Sequence, residues 1–251
     1  QALAQAAAIP ARAPVSSAPR PVPCLGRFCP ARSRMPGFRT FPASSAHGGE
    51  AIDAKSLGLV LIEYQNEFAH ADGKLNGGVK AVMEETGMLE KSAKTAEAVR
   101  KAGGKVIHVP ISLAEDGSDN PNKNLGILKG CADGKLFTAG SWNAEICEEM
   151  KPKGSDLVVS GKRGLDAFPD TDLEEILRKE SITTVALGGF LTNCCVESTM
   201  RTAFEKGFNV VTLTDCTAAM SPEGQKAACE GTFGLFSQPM SADEFMKVIG
   251  S

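Results

Sequence analysis

Histidine is scarce in this chain, with only His47, His70 and His108 in 251 residues. The three are far apart, and the eight cysteines share no metal-type spacing with them, so no bound metal is expected. No apolar run approaches the roughly 20 residues of a membrane-spanning helix, and no apolar signal-peptide core is present, so no membrane partner is expected. The adjacent pair Cys194 and Cys195 could close only a strained ring, which points to free thiols in a reducing compartment.

Acidic residues are missing before Glu50, in a stretch that carries Arg12, Arg20, Arg27, Arg32, Arg34 and Arg39 among many Ala, Pro and Ser residues. Such a composition cannot bury enough apolar surface to fold, and it has the character of an organelle transit peptide. Residues 1–49 are therefore read as a leader and residues 50–251 as one domain. Proline breaks up the leader and leaves no long amphipathic Arg helix, which favours a chloroplast address over a mitochondrial one. The body that remains is distinctly acidic, so nucleic acid is not an expected partner.

Short continuous apolar runs at Leu57 to Ile62, Val106 to Val109, Leu157 to Val159, Thr184 to Leu187 and Val210 to Leu213 read as strands buried on both faces. Helical patterns fall between them at Gly87 to Ala102, Asn143 to Met150, Asp172 to Lys179, Glu197 to Lys206, Pro222 to Gly231 and Ala242 to Ile249. The alternation predicts a three-layer, doubly wound α/β fold, a mostly parallel Rossmann-like sheet with helices on both faces. Ser112 to Gly140 is too long for a plain connection and is read as a substrate-facing or subunit-contact loop. Ligands of such folds bind beyond the carboxyl ends of the strands. Glu63, Lys162 and Cys195 each follow a strand at that edge.

The run Gly188-Gly189-Phe190-Leu191-Thr192-Asn193-Cys194-Cys195-Val196 joins a strand to the first turn of a helix. Unpaired N–H groups there would lower a thiol pKa and cradle an oxyanion. Taken alone, a cysteine at such a junction is more often a small core residue. The spacing Gly189-x-x-Thr192-x-x-Cys195-Val196 resembles the motif of the isochorismatase-like cysteine hydrolases. Leu59-Val60-Leu61-Ile62-Glu63-Tyr64-Gln65-Asn66-Glu67-Phe68 and Lys162-Arg163-Gly164-Leu165-Asp166-Ala167-Phe168 resemble two further blocks of that superfamily, in the same order.

The resemblance implies a Cys-Lys-carboxylate triad: Cys195 attacks, Glu63 moves the proton, and Lys162 poises the thiolate or the carboxylate. It also implies oxyanion donors at the backbone N–H groups of Leu191 and Cys195, and a cis peptide at Phe190-Leu191. Glu63 and Glu67 stand where the superfamily usually has Asp. Cys194 is expected to point away from Cys195 and to be the less reactive of the two with iodoacetamide. Gln65, Phe68, Trp142 and Phe168 are expected to line the substrate pocket. The histidine set of metal-dependent nicotinamidases is missing, so no cofactor is expected. These features imply hydrolysis of a small polar amide, ureide or carbamoyl compound. The alternatives are isochorismatase-type vinyl-ether hydrolysis and a non-catalytic small-molecule-binding or scaffold homologue. Resemblance also implies a homodimer or homotetramer.

Overall fold

The computed structural model describes residues 51–250, so the expected leader, with Cys24 and Cys29, lies outside the described residues. Six strands build one sheet: β1 (Leu57–Ile62), β2 (Lys105–Val109), β3 (Leu157–Val158), β4 (Thr184–Phe190), β5 (Asn209–Ala218) and β6 (Gln238–Met240). Their order is β3-β2-β1-β4-β5-β6, and every neighbouring pair is parallel. The expected doubly wound parallel sheet is thus what the chain forms. Between β1 and β4 the winding direction reverses, which opens the crevice where such folds hold ligands.

Nine helices surround the sheet among the described residues: α1 (Asn66–Ala69), α2 (Asn76–Thr86), α3 (Met88–Ala102), α4 (Gly126–Gly134), α5 (Leu173–Lys179), α6 (Glu197–Glu205), α7 (Pro222–Lys226), α8 (Phe233–Phe236) and α9 (Ala242–Val248). Alternation along β1 sends Leu57, Leu59 and Leu61 into a core shared with Val82 and Val99 of α2 and α3 and with Phe245 of α9. Val60 and Ile62 enter the opposite core with Leu173, Leu177, Met200 and Phe233 of α5, α6 and α8. Each such aliphatic side chain, removed from water, contributes about 1.5–3 kcal/mol. All six residues of β1 are buried, which explains why the strand reads as an unbroken apolar run.

Two expectations fail locally. Asn143 to Met150 forms two short 3₁₀ turns, Trp142–Ala144 and Glu148–Met150, because its backbone is occupied in holding the segment after β1. In that pairing the Asn66 N–H donates to Glu145 O at 2.9 Å and the Cys147 N–H to Tyr64 O at 2.9 Å. The loop from Ser112 to Gly140 contains α4, hidden in the sequence by its glycines at 126, 130 and 134.

The short edge strand β3 is anchored by a buried cluster. Asp156, just before it, takes two bonds from Arg100, at 2.9 and 2.6 Å, and lies 3.1 Å from His108 Nε2. Burial holds the His108 imidazole below its ordinary pKa, against the pull of Asp156. Burial works the other way on Asp156, but Arg100, the Lys153 N–H and His108 together bring its carboxyl below the usual value. Both groups titrate lower in the folded chain, so the stability they contribute is present above their unfolded pKa values and is lost as pH falls through the folded ones. The urea midpoint is expected to be lower at pH 5 than at pH 7, with His108→Gln flattening part of that drop.

Candidate active site

Glu63 leaves β1 with φ of 56°, a left-handed backbone that a residue with a Cβ adopts only under constraint. Its N–H is fixed to Val109 O at 3.0 Å. Lys162 arrives from β3 through Gly161, where φ is 89° and a Cβ would come within 2.4 Å of Asp170 O, so only glycine fits. Gly189, before the thiol segment, is equally constrained: a Cβ there would lie 2.1 Å from Ile62 O. The Phe190-Leu191 peptide is cis, as the resemblance implies.

Lys162 Nζ bonds Glu63 Oε1 at 2.5 Å and Gly164 O at 2.5 Å. Their side chains are 0% and 3% exposed. Burial alone would lower the Lys162 pKa, but the Glu63 carboxylate beside it reverses that, and the ammonium is held above its ordinary value. Cys195 is 3% exposed and lies in the same electrostatic neighbourhood as Lys162 and Glu63. The structure brings the three residues together across the switch point.

The cysteine segment differs from expectation. Thr192–Val196 is a π-helical turn feeding α6, with Cys195 buried and Cys194 half-buried. The neighbouring Cys194 thiol, burial and the Glu63 carboxylate push the Cys195 thiol well up, while Lys162 opposes them. Cys195 therefore rests as a protonated thiol, and its activation requires a base. Iodoacetamide labelling read by peptide mass spectrometry across pH 7 to 9 measures the two thiols separately, and Cys195 labelling should rise with pH as the thiol loses its proton.

The residues expected to line a pocket take separate places. Gln65 is fully buried, and its amide binds backbone: Nε2 donates to Ile111 O at 2.8 Å and Ala144 O at 2.6 Å, and Oε1 accepts from the Ile111 N–H at 2.9 Å. It is a strut between β1 and the segment after β2, so no amide atom is left to orient substrate. Gln65→Ala should cost about 2–3 kcal/mol in chemical denaturation, because buried backbone groups lose their partners. Phe68 stacks on Phe190 at 4.9 Å and belongs to the core beneath the thiol segment. Phe168 belongs to the opposite core, 6.3 Å from Phe208. Trp142, 45% exposed, stands edge-on to His70 at 4.9 Å. It lines an open cavity of about 600 Å³ with Glu67, Lys74, Lys135 and Asn143, none of them a triad residue.

Glu67 is buried, accepting from the Lys74 N–H at 2.8 Å, the Phe137 N–H at 3.4 Å and Asn143 Nδ2. Sequence reasoning missed Thr199 and Gln225. Thr199 Oγ1 donates to Cys195 O at 2.7 Å and accepts from the Ala167 N–H at 3.0 Å, tying the thiol segment to the stretch after Lys162. Gln225 accepts from Thr192 Oγ1 at 2.6 Å and donates to Thr214 O at 3.0 Å, bracing the same turn from β5. Neither residue carries a local sequence signal, because both act through the backbone of distant segments.

Buried ionisable groups at the crevice of a doubly wound sheet are the mark of a small-molecule enzyme. Residues 58–244 match the isochorismatase domain. The chain belongs to the isochorismatase family of hydrolases. Ureidoacrylate amidohydrolase RutB of Variovorax paradoxus is 28% identical over 209 residues, covering 78% of this chain and 82% of the relative. A cysteine hydrolase from Pseudomonas syringae pv. phaseolicola superposes with a TM-score of 0.71 at 24% identity, covering 79% of this chain and 94% of that one. N-carbamoylsarcosine amidase from Thermoplasma acidophilum does so with a TM-score of 0.61 at 23% identity, covering 75% and 97%. At these identities the two solved structures speak for the fold.

Proposed function

We propose that this protein hydrolyses an amide, ureide or carbamoyl bond in a small polar molecule through Cys195. The observation that carries the reading is the buried Lys162–Glu63 ion pair beside a thiol held protonated. Glu63 takes the thiol proton as the sulfur attacks the carbonyl carbon, and Lys162 offsets the negative charge that passes between carboxylate and sulfur. The backbone N–H groups of Leu191 and Cys195 donate to the oxyanion. Glu63 then protonates the leaving nitrogen, a thioester forms, and water, losing its proton to Glu63, releases the acid and restores the thiol. The similarity to a protein named as a ureidoacrylate amidohydrolase supports this choice among the family's chemistries.

The test is turnover by the purified protein of a panel of small amides, ureides and carbamoyl compounds alongside isochorismate, followed by release of ammonia or amine and of pyruvate. Release of nitrogen from one class supports the reading and names the substrate class. Pyruvate from isochorismate alone would move the chemistry to vinyl-ether hydrolysis, and inertness toward all of them would favour a binding protein.

A further inference from the structure

Glu63, Lys162 and Cys195 are 1–3% exposed, yet a substrate has to touch the sulfur. The excursion 114–137 runs beside Lys162, touching its neighbours Arg163 and Gly164. It leaves and re-enters the body at one point, because the Leu113 N–H donates to Phe137 O at 2.9 Å and the Ala139 N–H to Leu113 O at 2.8 Å. That is the geometry of an Ω-loop, here enlarged to carry α4. Leu136 and Phe137 are buried at its base and fix the point of attachment.

Cys131, on the inner side of α4, is 6% exposed. Burial pushes its thiol up to about 11, and the charged or thiol groups acting on it are Glu63, Cys194, Lys162 and Glu67. Cys131 belongs to the same buried cluster as Phe190 and Leu191, against which Cys194 packs. Left-handed residues bracket α4, Gly126 on one side and Lys135 and Phe137 on the other. At the catalytic rim the excursion is held by Asp119, whose Oδ2 lies 2.6 Å from Arg163 Nε, next to Lys162. Both side chains of that pair are about one third exposed, at 32% and 38%, so it is a weak tie. Pro121 packs beside Gly164, where an added Cβ would lie 3.7 Å from the proline ring.

We propose that residues 114–137 are a cover that opens to admit substrate, clasped by Asp119 and Arg163. The proposal rests on the hydrolase reading above. A cover of this kind shuts water out while the thioester forms and sets the rate at which substrate enters.

Pro121→Cys and Gly164→Cys put two cysteines at the contact where an added Cβ on residue 164 lies 3.7 Å from Pro121 Cγ, and intact mass under oxidation reads closure of the disulfide. Iodoacetamide labelling of Cys195 at pH 9, read by peptide mass spectrometry, should be at least about tenfold slower in the oxidised double variant than after reduction, wild type treated identically showing no such difference. Equal labelling of both forms would overturn the cover. Asp119→Arg should speed labelling several-fold, and adding Arg163→Asp should return it to the wild-type rate. Labelling unmoved by either change would overturn the clasp. Because labelling needs no substrate, a protein inert toward every amide would sink the hydrolase reading and leave the cover standing.

Discussion

Cys195→Ala is expected to abolish turnover, by about 10⁴-fold or more, since removing the nucleophile of a covalent mechanism leaves only binding and oxyanion stabilisation. The fold should survive. The side chain lost is small, and its neighbours are held independently: Thr199 and Gln225 brace the turn through backbone carbonyls and the Thr192 hydroxyl. A thermal transition within a few degrees of wild type, alongside lost product release, is the expected pair of results. Cys194→Ala provides the contrast. It removes the neighbouring thiol that raises the Cys195 pKa, so turnover should persist and its alkaline rise should move to lower pH. Equal loss from both substitutions would contradict the assignment of the nucleophile.

The second large effect concerns the ion pair. Glu63→Gln removes the base that the protonated thiol requires and should lower kcat by about 10²–10⁴-fold. It also strands the Lys162 ammonium in a site with no exposure, and loss of one partner of a buried pair costs about 3–5 kcal/mol. Lys162→Met should be comparably destabilising, because it leaves the carboxylate uncompensated. Changing both together removes both charges, so the double variant should regain most of the stability and none of the activity. That split separates a catalytic pair from a structural one. A double variant as unstable as the singles would mean that packing, not charge, accounts for the loss.

Much of this architecture was legible because burial on both faces leaves a simple trace. β1 is bounded by the same residues, Leu57 and Ile62, in the apolar pattern and in the structure. The positions of Glu63, Lys162 and Cys195 after three strands place them at one edge in the sequence itself, since parallel strands share a carboxyl edge. β6 escaped because Gln238-Pro239-Met240 lacks an apolar run and pairs only along one side of β5. α4 escaped because glycines dilute its helical period, and burial of Leu128 and Cys131 supplies what propensity does not. The pocket readings were weakest. Gln65 looks like a substrate ligand in the motif, but the pairing of residues 64–66 with 145–147, invisible locally, turns its amide toward the backbone. Proton distribution between Cys194 and Cys195 was likewise out of reach, since it depends on how closely two adjacent thiols approach and on how deeply each is buried.

Intact-mass spectrometry of the protein during turnover tests the central claim most directly. With a substrate from the amide, ureide and carbamoyl panel, the wild type should gain the mass of an acyl group, mapped by peptide analysis to Cys195, and lose it as product accumulates; Cys195→Ala should gain nothing. Product release by Cys195→Ala at the wild-type rate, or an acyl group found on any other residue, would contradict a mechanism centred on this thiol.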